Sequence, residues 1–117
     1  MRMNEVVYTD APPIDGYGAG FFRVGGEVCE GTLLVGPRGV QTWGGYQDAE
    51  CLLSLVGHVD VLFVGTGPET AHMPRDLRDR LESAGLGVEA MNSPAACRSY
   101  NVLLAEGRRV AVALLPV

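Results

Sequence analysis

The sequence predicts an α/β fold: a three-layer domain with a central mixed, largely parallel sheet, two crossover helices and a β-rich N-terminal half. Three observations predict it. An apolar, β-branched run at residues 59–64 ends at glycine, as buried parallel strands do. From that run onward, strand-like and helix-like segments alternate. The preceding half shows short apolar runs between glycine-rich turns, which favour short strands.

The N-terminal half is predicted to contain three short strands. Residues 21–24 form the first and meet Gly25-Gly26, a hairpin-type turn. Residues 32–35 and 40–43 form the other two, on either side of a Gly-Pro-Arg-Gly turn. Residues 14–20 contain three glycines and are interpreted as a loop. These early strands either add to the main sheet, some of them antiparallel, or form a small second layer.

A short helix is predicted over residues 48–56. Asp48 is a suitable N-cap, and apolar residues then recur at intervals of three and four. Gly57 follows and is expected to end the helix.

The C-terminal half is predicted to alternate regularly. The expected elements are strands 59–64, 87–91 and 109–115 and helices 74–84 and 94–106. Leu77 and Leu81 line the inner face of the first helix. Ser93 is the predicted N-cap of the second helix, with Pro94 at its first helical position. Strands separated by helices at this spacing imply right-handed parallel crossovers.

Composition narrows the classes of function. The 117 residues carry a net charge of −5, and the nine basic residues are all arginine. An acidic chain without a run of basic residues lacks the charge that nucleic-acid binding or an anionic membrane surface requires. The absence of lysine excludes Schiff-base chemistry. Length fits a single domain over residues 1–117, and no apolar run approaches the length of a membrane span, so we expect a cytoplasmic protein without membrane insertion.

The sequence predicts no structural metal site. Cys29, Cys51 and Cys97 are widely spaced without a Cys-x-x-Cys pair, and His58 and His72 stand apart from them. Zinc sites require clustered ligands.

No nicotinamide or flavin cofactor is expected either. Gly65-Thr66-Gly67 lies after a strand and before a helix, where a nucleotide-binding loop would lie, but Thr70 replaces the third glycine of the fingerprint. No acidic ribose ligand follows the next strand. The loop is interpreted as a tight strand exit, with a small-ligand or partner loop as the alternative.

The second helix carries the remaining candidates. Ser93 is interpreted as a cap rather than a nucleophile, because no nucleophile elbow surrounds it. Cys97 lies near the helix start, so it is either a packed small residue or a thiol activated by the helix dipole. Arg98 and Asn101 are three residues apart and share one side of the helix. They form a solvated face or a polar contact patch, and Arg98 alternatively pairs with a carboxylate of its own chain.

These candidates converge if the strands are parallel, because loops at the carboxyl ends of parallel strands emerge at one sheet edge. The helix start is expected to offer unpaired N–H groups and partial positive charge to an anion. The predicted contact patch consists of Gly65, Thr66, Gly67, Asn92, Ser93, Arg98 and Asn101.

One string in the sequence resembles a known family. MNSPAACRSYNVLLAEGRRV at residues 91–110 and VLFVGTG at residues 61–67 are similar to the hallmarks of a family of small α/β proteins. That family includes the mitochondrial respiratory complex I assembly factor 3 and Mth-type proteins of bacteria and archaea. Ser93 and Ser99 stand where the family usually has threonine, so each position keeps a hydroxyl.

The resemblance implies a three-layer α/β domain and no transferable enzymatic activity. The mitochondrial member acts by binding partner proteins. We therefore expect a non-catalytic protein-interaction domain without a cofactor, involved in assembling a respiratory or other membrane complex. The alternative is a small anionic-ligand-binding domain or enzyme that uses the pocket between Gly65-Thr66-Gly67 and Ser93.

Overall fold

The computed structural model describes residues 11–117. Within that range the chain forms eight strands and three helices. The strands are β1 (Ile14–Gly18), β2 (Phe21–Val24), β3 (Glu27–Glu30), β4 (Leu33–Gly36), β5 (Gly39–Thr42), β6 (Val61–Gly65), β7 (Gly87–Met91) and β8 (Val110–Leu114). The helices are α1 (Ala49–Leu53), α2 (Arg75–Ser83) and α3 (Ser93–Ala105), and a single 3-10 turn covers Gly45–Gln47.

The central sheet has five strands in the order β5-β4-β8-β6-β7. β6 pairs in parallel with both β7 and β8, whereas β4 pairs antiparallel with β8 and β5. Four of the five strands therefore run in one direction and β4 opposes them. The predicted mixed, largely parallel sheet is confirmed.

Two apolar cores lie on opposite faces of this sheet. On one face α1 and α2 cover the strands, and Leu77 and Leu81 of α2 are both buried, as predicted. On the other face α3 packs over β6 and β8, with Tyr100 and Phe63 in the core. The three predicted layers are confirmed because each strand alternates its side chains between the two cores.

Both alternatives for the early strands occur. β4 and β5 extend the central sheet, while β1, β2 and β3 form a separate antiparallel sheet that packs beside α3. The hairpin between β2 and β3 turns at Gly25-Gly26, where both glycines have positive φ. β3 was not predicted, because the segment EVCE lacks an apolar alternation.

Two boundaries predicted from the sequence are wrong. The loop expected at residues 14–20 contains β1, which pairs with β2 although two of its five residues are glycine. The helix expected over residues 48–56 ends at Leu53. Asp48 does cap it, accepting a hydrogen bond from the Cys51 N–H at 3.3 Å. The chain then turns at Gly57, which has a φ of 85°, so that residues 56 and 59 form an isolated bridge.

Candidate functional site

Five of the seven predicted contact residues meet at the carboxyl ends of β6 and β7. We call them the strand-end cluster: Gly65, Thr66, Gly67, Asn92 and Ser93. The Thr66 N–H donates to the Met91 carbonyl at 2.8 Å, and the Ser93 N–H donates to the Gly67 carbonyl at 2.7 Å. These bonds join the two loops directly, because β6 and β7 are adjacent and parallel.

Ser93 is fully buried in the cluster and bonds on both sides. Its hydroxyl accepts from the Gly67 N–H at 2.9 Å and donates to the Leu115 carbonyl at 2.7 Å. The prediction that Ser93 caps α3 is wrong. Asn92 is the N-cap, and its side-chain oxygen accepts from the Ala95 N–H at 2.8 Å. Ser93 lies one position later, so its side chain turns toward the sheet.

Gly65 makes this approach of α3 possible. A Cβ at position 65 would lie 2.6 Å from the Ser93 hydroxyl oxygen and 2.9 Å from the Ser93 Cα. Such distances are far inside van der Waals contact, so only glycine allows the helix start to lie this close to β6.

Thr66 and Asn92 are also engaged with neighbouring groups. The Thr66 hydroxyl lies 2.8 Å from the Glu69 carbonyl and accepts from the Ala71 N–H at 3.1 Å. The Asn92 amide lies 3.4 Å from the Thr70 hydroxyl. The cluster thus fastens the β6–α2 loop to the start of α3.

The first N–H groups of α3 are not available as expected for an anion. The Ser93, Ala95 and Ala96 N–H groups bond to Gly67, to the Asn92 side chain and to the Asn92 carbonyl respectively. Pro94 has no N–H. The prediction that the start of α3 offers unpaired N–H donors is therefore wrong, because these N–H groups form hydrogen bonds within the chain.

Asn101 does not join the cluster. Its side-chain oxygen accepts from the Ile14 N–H at 2.9 Å, and its amide donates to the Ile14 carbonyl at 2.8 Å. The neighbouring Tyr100 hydroxyl donates to the Pro12 carbonyl at 2.7 Å. Both side chains hold the segment that leads into β1 against α3, so Asn101 is bound within the fold and not part of a solvent-facing patch.

Arg98 also lies away from the cluster, on the exposed side of α3. Its side chain makes no ion pair or hydrogen bond with any group in residues 11–117. It borders a shallow cleft of about 370 Å³, which we call the α3 cleft, lined by Phe63, Arg98, Ser99, Val102 and Leu103.

Val102 is the residue that the sequence interpretation missed. An apolar residue near the end of a crossover helix is expected to be buried, but Val102 is 56% exposed. The available signal was its position, one residue after Asn101 and four after Arg98, which places it on the outer side of the helix. An exposed valine beside an arginine gives this cleft an apolar wall and one cation.

Cys97 is packed and not activated. It lies on the buried face of α3, and this burial raises the pKa of its thiol to about 11 despite the nearby Arg98. Among residues 11–117, no group of three or more histidine, cysteine or carboxylate side chains is placed to hold a metal ion.

Comparison with known proteins decides the family. Residues 14–115 match the family described as protein of unknown function (DUF498/DUF598). The chain belongs to this family. A relative from Rhodobacter capsulatus is 46% identical over 117 residues, which cover all of this chain and 94% of that protein.

Other relatives of this DUF498/DUF598 member carry a functional name. NADH dehydrogenase (ubiquinone) 1 alpha subcomplex assembly factor 3 of Bos taurus is 31% identical over 110 residues. The match covers 88% of this chain but only 60% of that protein.

Solved structures that are similar in sequence to this chain have the same fold. A crystal structure from Bartonella henselae, described as an outer membrane protein, superposes with a TM-score of 0.84 at 33% identity, covering 95% of this chain and 99% of that one. A Bordetella pertussis protein described as a Mth938-like domain, solved by NMR, gives a TM-score of 0.75 at 30% identity, covering 99% and 92%. The longest helix in the described part of this chain has 13 residues, and none there has the length and apolar character of a membrane span.

Proposed function

We propose that this chain is a single, non-catalytic protein-interaction domain that acts in the cytoplasm during assembly of a respiratory or other membrane complex. The observation that carries the proposal is the match to assembly factor 3, which is 31% identical over 88% of this chain. That match extends across most of the fold rather than over one motif, so it bears on the domain as a whole.

The α3 cleft is the surface we assign to the partner. Val102 offers apolar area whose burial would favour association, and Arg98 offers a planar set of donors suited to a carboxylate. Phe63 also lines the cleft and adds an aromatic ring to its apolar surface. The complementary partner is a protein segment that presents an apolar side chain next to an aspartate or glutamate.

Contacts within the strand-end cluster favour this surface over the alternative pocket. A small anion needs donors that are not already bonded. The Gly67 N–H and the first N–H groups of α3 all have partners within the chain. We therefore assign the cluster to the integrity of the fold rather than to ligand binding or catalysis.

Site-specific photo-crosslinking in the native cell tests the proposal. A photoreactive amino acid is placed at Val102 and, as the matched control, at Val28 of β3, which is 55% exposed. We expect position 102 alone to crosslink to a subunit or assembly intermediate of a membrane complex, identified by mass spectrometry. Identical products at both positions, or no such subunit at position 102, would contradict the proposal.

A second arm measures the consequence for assembly. Val102→Asp places a carboxylate in the cleft and is expected to lower the amount of the assembled complex, whereas Val28→Asp is not. Both side chains are exposed, so both variants are expected to fold, which their melting temperatures check. Normal assembly with the Val102→Asp variant would overturn the assignment of the cleft.

A further inference from the structure

A group of basic side chains lies at the amino ends of the parallel strands, opposite the strand-end cluster. Arg108 and Arg109 lie between α3 and β8, and His58 lies between α1 and β6. The turn between β4 and β5, which carries Arg38, reaches the same end because β4 runs antiparallel to β8. A chain of net charge −5 thus concentrates three of its nine arginines at one end of the sheet.

Three of these side chains line one cleft. The cleft has a volume of about 340 Å³, at the lower end of the range for small-molecule sites. His58, Arg108 and Arg109 supply the donors, and Pro37, Leu104 and Val110 supply apolar walls. We call it the basic cleft.

Arg109 is held in place by the fold. Its guanidinium donates to the two carboxylate oxygens of Asp60, at 2.7 and 3.4 Å, and lies 3.5 Å from the Gly57 carbonyl. A guanidinium has five N–H groups, so donors remain after these contacts. The hydrogen bond from Arg109, together with the charges of Arg109 and Arg108, lowers the pKa of the Asp60 carboxyl, so Asp60 is the negatively charged partner that holds the Arg109 guanidinium.

Arg108 is the second arginine that lines the basic cleft. Its side chain is exposed and makes no ion pair or hydrogen bond with any group in the described residues, 11–117. The adjacent carboxyl end of α3 carries the partial negative charge of a helix dipole, so the two guanidiniums must supply the attraction for an anion. The Val102, Leu103 and Leu104 carbonyls there already accept from the N–H groups of residues 106–108.

We propose that the basic cleft binds a phosphate group, as inorganic phosphate or as a small phosphate monoester whose short organic portion contacts the apolar walls. Arg108 and Arg109 donate to the phosphoryl oxygens, and His58 provides a third donor. A carboxylate has two oxygens in one plane, whereas phosphate presents oxygens in three directions and matches donors from three residues better. Asp60 is a positioning residue, because it orients Arg109. This site is separate from the α3 cleft and independent of the proposed partner.

Titration of the full chain, followed by amide NMR shifts at constant ionic strength, tests the proposal. The probes are inorganic phosphate, phenyl phosphate and benzoate. We expect saturable binding of at least one phosphate probe, with shifts centred on residues 57–60 and 107–110. Tighter binding of phenyl phosphate identifies a monoester as the preferred ligand, whereas equal binding identifies phosphate itself.

Variants separate a built site from general charge attraction. Arg108→Gln is expected to weaken phosphate binding about tenfold, because it removes a positive charge that donates to the phosphoryl oxygens. Arg75→Gln, at an exposed arginine that begins α2, is the matched control and is expected to leave binding unchanged. Absence of saturable binding, benzoate binding as tight as phenyl phosphate, or equal effects of the two variants would overturn the proposal.

Discussion

The Ser93 hydroxyl donates a hydrogen bond of 2.7 Å to the Leu115 carbonyl, which ties the first residue of α3 to the residue after β8. The same hydroxyl accepts from the Gly67 N–H at 2.9 Å. One fully buried oxygen therefore joins the ends of two neighbouring parallel strands to the crossover helix. Buried polar groups with all partners present stabilise a unique arrangement and are costly to disturb.

Ser93→Ala is expected to lower the free energy of unfolding by about 1–3 kcal/mol, because it leaves the Gly67 N–H and the Leu115 carbonyl without their partner. Urea denaturation measures the change. Ser99→Ala is the control in the same helix, since that hydroxyl only contacts the Met91 sulfur at 3.5 Å. Equal losses in the two variants would refute the special role of Ser93.

Gly65→Ala is expected to destabilise the fold by about 1–3 kcal/mol, because the added methyl group would overlap Ser93. Gly16→Ala is the matched control: it lies in a strand, and a Cβ there would meet nothing within 4 Å. Combining Gly65→Ala with Ser93→Ala tests the contact further. The combined loss should be smaller than the sum of the single losses, since one substitution removes an atom that the other would strike.

Asn101→Ala is expected to loosen β1 from α3, because it removes both hydrogen bonds to the Ile14 backbone. Hydrogen exchange at residues 14–18 should accelerate more than exchange in the central sheet. Val102→Ala, at the exposed neighbouring position, serves as the control and should not change this pattern. Unaltered exchange in β1 of the Asn101→Ala variant would show that the amide does not hold the strand.

Cys97 is expected to react with iodoacetamide far more slowly than Cys29 and Cys51 at pH 8. The thiolate is the reacting form, and burial raises the pKa of Cys97 to about 11, so the thiolate is scarce well below that pH. Its rate should rise about tenfold per pH unit until the pH nears 11. Mass spectrometry of native and urea-unfolded protein follows each site. Modification of native Cys97 as fast as Cys29 at pH 8 would contradict the assigned burial.

Much of the C-terminal half was predictable from local sequence. The apolar run that contains β6, the amphipathic pattern of α2 and the proline at the start of α3 each specify an element through neighbours a few residues apart. The N-terminal half was less predictable. β1 depends on its pairing with β2 and on Asn101, which lies 87 residues away from Ile14. The pattern of neighbouring residues therefore does not predict this strand.

The sequence was sufficient to predict that two loops meet at the candidate site, but not which hydrogen bonds their polar groups form. Parallel strands bring Gly65 and Ser93 to one sheet edge, and the spacing of the elements is enough to predict that. Whether a donor at that edge is available depends on every group packed around it. The start of α3 differs by one residue from the prediction. As a result, Asn92 caps the helix, and the Ser93 hydroxyl donates to the Leu115 carbonyl instead.

The fold class, the order of the crossovers and the family could be predicted from apolar periodicity and from the string at residues 91–110, because both are local properties of the sequence. Which polar groups remain free to bind a ligand or partner depends instead on how the helices and strands pack. In the folded chain, the residues of the strand-end cluster form hydrogen bonds with one another, whereas Arg98 is exposed beside Val102. Folding also brings His58, Arg108 and Arg109 into one cleft, although the α1–β6 and α3–β8 connections that carry them are about 50 residues apart. Hydrogen-bond satisfaction and charge proximity are non-local, so they exist only once the chain has folded.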